Sequence, residues 1–275
     1  QERDTASLEA AFAKAERLLD EIEAMVAQSA NSVAIARTPD DLYRLKREGK
    51  RALMLGIENG YALGLDPKRV EHFRQRGVVY MTLCHNGDND LCDSARGNQE
   101  HGGLSELGRT VIREMNRVGM MVDLSHAAES SFYQAIEASH TPIVCSHSSA
   151  RALCDHPRNL TDDQLRALAA SGGVAQVCLY DGFLRKEGGA TIDDAVRHIV
   201  HMVRVAGIDH VGIGTDFDGD GGIIGCADAS EVINLTRRLR AEGFTEEDIE
   251  KLWGGNFLRV MREVQAYKND KKEDF

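Results

Sequence analysis

Six short, nearly continuous apolar runs alternate along the chain with stretches of helical periodicity, and this alternation restricts the fold more than any other feature. The runs are Ala52–Ile57, Val78–Leu83, Met120–Leu124, Pro142–Cys145, Gly173–Leu179 and Val211–Gly214, with Ser32–Ala36 as a weaker seventh. A parallel sheet is covered by helices on both sides, so its strands are buried on both faces and read in this uninterrupted way. Between the runs, apolar residues recur at helical spacing in Ala6–Gln28, Leu107–Val118, Ile192–Val205 and Ala229–Arg240. Thr161-Asp162-Asp163-Gln164 has the form of a capping box and predicts a helix through Ala169. Thr245, followed by Glu246 and Glu247, opens another. Strand–helix units repeated this often imply an α/β fold with a parallel sheet, either open or closed into a barrel.

The 275 residues suit a single domain, residues 1–275, since α/β barrels of this size fold as one unit. No Pro/Gly-rich linker divides the chain, and the charged stretch 268–275 is expected to be a flexible tail. An eight-stranded barrel needs one or two strands more than the sequence offers, so the first strand or two are expected upstream of Gln1. A net charge of −11 without a basic stripe speaks against a nucleic-acid partner. No apolar run approaches the roughly 20 residues that span a bilayer, and no signal peptide is visible, so a cytoplasmic location is expected. The six cysteines are scattered without a CxxC pair, which fits reduced thiols; Cys84 and Cys145 sit in apolar runs as buried strand residues.

The chemistry is concentrated where the runs end. Ala52–Ile57 ends at Glu58, Val78–Leu83 leads through Cys84 to His85, and Met120–Leu124 leads to Ser125-His126. Pro142–Cys145 leads to Ser146-His147, Val211–Gly214 to Thr215-Asp216, and Gly173–Leu179 to Tyr180. The carboxyl ends of parallel strands form the active face of an α/β barrel. One histidine after a strand is more often structural than a ligand, but five groups that can bind metal or move protons, at equivalent ends, are hard to assign to chance. Imidazoles and carboxylates are ordinary zinc ligands, and a two-metal site can clamp both ends of a reacting group. His72, His140, His198 and His201 fall on helices or helix ends, where solvated or packing roles are expected; His101, His156 and His210 lie in or near loops.

The Asp216-Phe217-Asp218-Gly219-Asp220-Gly221 segment invites an EF-hand reading, but the twelfth position holds Ala227 where that loop needs Glu. Asp216 instead suits a proton shuttle beside a metal, with the following glycines letting the backbone turn sharply. HExxH, GxSxG, GxxxxGK[ST] and GxGxxG motifs do not occur.

Gly56-Ile57-Glu58-Asn59-Gly60, Asp123-Leu124-Ser125-His126, Ser146-His147-Ser148-Ser149, Arg158-Asn159-Leu160-Thr161-Asp162-Asp163 and Gly214-Thr215-Asp216-Phe217-Asp218-Gly219 resemble, in order, the strings of the membrane (renal) dipeptidase family and its bacterial relatives. The resemblance covers essentially the whole chain. It implies a (β/α)8 TIM-like barrel of the metallo-dependent hydrolase type, a homodimer, and two Zn2+ ions per subunit. It further implies Glu58 as the carboxylate bridging both ions and His126 and His147 as ligands of one of them. His85 matches a residue that binds substrate and steadies the oxyanion; Arg158 and Tyr180 match residues lining the substrate site. Asp216 matches the group that meets the substrate amine and handles the proton. The implied activity is hydrolysis of dipeptides, including those with a C-terminal D-residue, by a hydroxide held between the metals. The family's first ion also uses a His-x-Asp pair at the end of the first barrel strand, which is absent near the start here and is expected upstream of Gln1. The alternatives are another binuclear amidohydrolase, acting on a lactone, phosphoester or N-acyl amino acid, and a non-catalytic homologue.

Overall fold

The computed structural model describes residues 2–270. Eight strands form: β1 (Val33–Ile35), β2 (Arg51–Leu53), β3 (Leu55–Glu58), β4 (Val78–Thr82), β5 (Met121–Asp123), β6 (Val144–Cys145), β7 (Val174–Cys178) and β8 (Val211–Gly214). The helices are α1 (Thr5–Gln28), α2 (Pro39–Arg47), α3 (Arg69–Gln75), α4 (Glu106–Val118), α5 (Glu129–Ala138), α6 (Asp162–Ala170), α7 (Asp181–Leu184), α8 (Ile192–Ala206), α9 (Val232–Glu242), α10 (Glu246–Glu250) and α11 (Asn256–Asp270).

Strands β3 to β8 make one six-stranded sheet in sequential order, and every pairing is parallel. This is the α/β architecture expected from the alternation. Among the described residues β3 and β8 pair on one side each and not with one another. The run expected as one strand, Ala52–Ile57, is divided between two sheets. Arg51–Leu53 pairs with β1 in a separate two-stranded sheet, and after Met54 the chain enters the main sheet as β3. Apolar content alone could not show the division, because both halves are apolar. Ser32–Ala36, the weaker candidate, contributes β1 to that small sheet.

The helices begin and end where side chains can satisfy their free backbone groups. Thr161 accepts from the Gln164 backbone N–H while the Gln164 side chain accepts from Thr161 N, so the expected capping box opens α6. Ser105 caps α4 by accepting from Gly108 N, and Gly119 ends it in the left-handed conformation. The apolar face read from the sequence (Val111, Ile112, Met115 and Val118) is buried. Each such side chain withdrawn from water is worth about 1.5–3 kcal/mol.

Two packed clusters orient the sheet. Helices on its outer side join the large core, to which α4 contributes Val111, Ile112 and Met115 and α8 contributes Ile199 and Met202. The smaller cluster joins Val79, Met121, Val144 and Val174, each the first or second residue of its strand, to Phe257, Val260, Met261 and Val264 of α11. Helix α11 therefore packs across the amino ends of the strands and leaves their carboxyl ends for the functional groups. It runs to Asp270, into the stretch expected to be a tail; residues 271–275 lie outside the described residues. All six cysteines are buried free thiols, as expected. No helix among the described residues is long and apolar enough to cross a membrane.

Candidate metal centre

Parallel register brings the strand ends to one level. Glu58 is the last residue of β3 and pairs with Thr82 of β4, which pairs with Asp123 of β5. The chain leaves β5 through Leu124-Ser125 to His126 and leaves β6 through Ser146 to His147. Both imidazoles point at the Glu58 carboxylate. His126 Nε2 lies 3.2 Å and His147 Nε2 3.3 Å from Glu58 Oε1, and the two nitrogens are 3.0 Å apart. The His126 backbone takes φ 71°, a left-handed conformation uncommon for a residue with a side chain. Its carbonyl accepts from Ala95 N and from Ser94 Oγ, so the loop after β4 holds the strained turn in place.

The chemistry of this donor set tests whether a metal fits. Two imidazole nitrogens and a carboxylate oxygen converge within 4.8 Å of one another. A single proton among three such atoms can satisfy only one pair, whereas a divalent cation would satisfy all three. Burial pushes the His126 imidazole down to about 4, so it is neutral near pH 7 and keeps a lone pair to offer. The His126 and His147 imidazoles beside it hold the Glu58 carboxyl well below the usual carboxylate range, so it is ionised. Nitrogen and oxygen ligands of this kind suit zinc. The residues fit a metal ion.

His85 joins this cluster. Its ring centroid is 4.3 Å from that of His126, and its Nε2 is 3.9 Å from Glu58 Oε2. Asp216 follows β8 with φ 56°, and its backbone carbonyl accepts from Gly219 N and Gly221 N. The glycines are required: a Cβ at Gly221 would lie 2.2 Å from the Thr215 carbonyl oxygen. The Asp216 carboxyl is raised above its ordinary range, chiefly by burial, with Glu58 and Asp218 adding negative charge nearby. Cys178 Sγ donates to its Oδ2 at 3.7 Å. Glu58, His147 and Asp216 line one cavity of about 1120 Å³.

Arg158 lies beneath His147, 3% exposed, and donates from Nη2 to the His147 carbonyl and from Nη1 to Ser148 Oγ. Its Nε has no hydrogen-bond partner among the described residues. Its hydrogen bonds go only to neutral oxygens, with Asp123 and Asp216 as carboxylates near enough to act on its charge, and burial leaves it able to hold a further anion strongly. Tyr180 packs on Phe183 with ring centroids 4.7 Å apart, and the Arg158 guanidinium sits 5.2 Å from the centre of the same ring. His156 accepts from Arg158 N and also packs on Phe183.

Two of the histidines on helices, where solvated or packing roles were expected, are held by partners within the fold. His198 is buried and bridges Ala150 N and the Leu184 carbonyl, and His201 pairs with Asp162. Asp123, Thr82, Ser146 and Ser94 hold the ligand-bearing turns by hydrogen bonds. Asp123 could have been singled out as a carboxylate at a strand end; Ser94, inside an irregular loop, carried no such signal.

A profile of the membrane dipeptidase family, peptidase family M19, matches residues 2–274. An uncharacterized dipeptidase of Schizosaccharomyces pombe is 39% identical over 255 residues, covering 90% of this chain and 61% of its own length. Two solved structures are similar. The probable dipeptidase PvdM from Pseudomonas aeruginosa is 32% identical with a TM-score of 0.88, over 90% of this chain and 78% of that one. A metallo peptidase from Rhodobacter sphaeroides, liganded with a phosphinate mimic of the dipeptide L-Ala-D-Ala, is 27% identical with a TM-score of 0.84, over 89% and 72%. The chain spans about three fifths of the length of the first curated relatives it matches. With its parallel sheet and with Glu58, His126 and His147 converging at the carboxyl ends of the strands, this chain belongs to the membrane dipeptidase family.

Proposed function

We propose that the chain carries the catalytic centre of a zinc-dependent dipeptidase, within one hydrolase domain of the (β/α)8 type. The observation that carries this reading is the convergence of Glu58 Oε1, His126 Nε2 and His147 Nε2 at the ends of three neighbouring strands. These residues would hold the metal, and the Glu58 carboxylate would be the group available to a second ion. Bound zinc supplies Lewis acidity that polarises the peptide carbonyl and acidifies water.

The remaining work falls to the chain's own groups. Arg158 binds the free carboxylate of the substrate, and its burial makes that ion pair stronger than it would be in water. Requiring a carboxylate one residue from the scissile bond selects dipeptides over longer chains. His85, beside the ligands, donates a hydrogen bond to the carbonyl oxygen as charge develops on it. Asp216, with its raised carboxyl, takes a proton from the attacking water and returns it to the departing amine. Tyr180 lines the substrate side next to Phe183. Acceptance of a C-terminal D-residue is supported by the similar Rhodobacter sphaeroides peptidase, which is liganded with a mimic of L-Ala-D-Ala.

A panel of L-Ala-L-Ala, L-Ala-D-Ala, the dipeptide amide, an N-acyl amino acid and a lactone, assayed with zinc and after chelation, tests the proposal. Zinc-dependent release of amino acids from the two dipeptides, with the amide much slower, is expected. Preferential turnover of the lactone or the N-acyl amino acid would replace the dipeptidase reading with another amidohydrolase.

A further inference from the structure

Asp123 sits at the end of β5, fully buried, between Thr82 of β4 and Ser146 beyond β6. Its carboxylate accepts four hydrogen bonds. Oδ1 receives Ser125 N at 3.0 Å and Ser146 N at 2.8 Å; Oδ2 receives Thr82 Oγ1 and Ser146 Oγ, each at 2.6 Å. Two of these donors are backbone N–H groups that cannot reverse. An ionised carboxylate accepts only, and all four of its lone-pair positions are filled.

This decides the direction of the next bond. Ser146 Oγ also lies 2.7 Å from His147 Nδ1. A hydroxyl has one proton, and Ser146 gives it to the charged acceptor, because a charge-assisted bond is the stronger and the reverse choice would press two acceptors together at 2.6 Å. The serine oxygen therefore accepts from His147 Nδ1–H. Neutral imidazole carries one N–H, so the lone pair is left on Nε2, the atom that faces Glu58 and His126. The His147 backbone N–H is held as well, donating to Ser125 Oγ at 2.9 Å. His126 has no counterpart, since its Nδ1 is buried without a hydrogen-bond partner among the described residues.

We infer that Asp123 and Ser146 are positioning residues that lock His147 in its Nδ1–H tautomer and aim its Nε2 at the metal. Asp123 polarises Ser146, and Ser146 fixes both the rotation and the proton of the imidazole. A carboxylate acting on a ligand histidine through a partner raises its basicity, and loss of such a partner typically costs 10- to 100-fold in metal affinity. The inference rests on the metal reading of Glu58, His126 and His147, but the tautomer is a property of the protein alone.

Two measurements on Ser146→Ala, Ser146→Thr and the parent test it separately. Nitrogen NMR of the imidazoles in metal-free protein is expected to report Nδ1–H for His147 in the parent and in Ser146→Thr, and a mixture of tautomers in Ser146→Ala. Zinc affinity from chelator competition is expected to fall about 10- to 100-fold in Ser146→Ala and to recover in Ser146→Thr, which keeps the hydroxyl. An Nε2–H tautomer in the parent overturns the inference, as does a zinc affinity in Ser146→Ala within twofold of the parent. A parent that binds no zinc at all would defeat the metal reading, while the NMR result would still decide the tautomer.

Discussion

At the scale of single residues, the site is defined by where each functional group is held. Arg158 is buried with its Nε unpaired among the described residues, and Glu58, His126 and His147 bring three ligand atoms within 4.8 Å of one another. Asp216 lacks full solvation, and its raised carboxyl places its protonation above the ordinary carboxylate range. In the proposed role Asp216 must be ionised to act as a base, so activity is expected to fall as pH drops through that raised value and to be full above it. Asp216→Asn is expected to lower kcat about 100- to 10,000-fold and to remove this acid limb from the pH–rate profile. An intact limb in the variant would assign it to another group. Glu58, His85, His126, His147 and Asp216 were legible in the sequence because each follows an apolar run. The hydrogen bonds behind them were not, because Thr82 and Asp123 come from neighbouring strands and only the register sets Asp123 between Thr82 and Ser146.

At the scale of elements, the turns after the strands are held by helices behind them. His198, on α8, accepts from Ala150 N and donates to the Leu184 carbonyl, tying the Ser146–Ala150 turn to α7. The bond from Ala150 N requires the neutral ring, because a protonated Nδ1 cannot accept, and burial pushes this imidazole down from 6.5 to about 4. The unfolded chain takes up the proton near 6.5 and the folded chain only near 4. Stability from His198 is therefore present above pH 6.5, is lost progressively as pH falls toward 4, and changes no further below that. The span corresponds to roughly 3 kcal/mol. Urea unfolding of the parent and His198→Gln at pH 7 and pH 4.5 checks this. The parent's advantage is expected to shrink by most of that amount at the lower pH, and a pH-independent difference would show that His198 takes up its proton at the same pH in the folded and unfolded chain. Periodicity placed His198 on a helix and gave it a packing role, but its two partners lie 48 and 14 residues away and had no sequence signal. The same limit explains why Ala52–Ile57 read as one strand. Composition shows that a segment is buried, not which sheet it enters.

At the scale of the whole molecule, the strand order is sequential and parallel, so successive apolar runs become spatial neighbours. That is why the fold class could be read in advance, and why groups more than 150 residues apart, Glu58 and Asp216, line one cavity. Helix α11 covers the amino ends of the strands, which assigns structure to one end of the sheet and chemistry to the other. The central claim is that the carboxyl ends of β3, β5 and β6 deliver the ligands of a catalytic zinc. X-ray diffraction from zinc-soaked crystals, recorded on both sides of the zinc absorption edge, tests it directly. An anomalous peak between Glu58 Oε1, His126 Nε2 and His147 Nε2 is the expected result. Zinc-dependent dipeptide hydrolysis by the same protein with no peak at that position would contradict it.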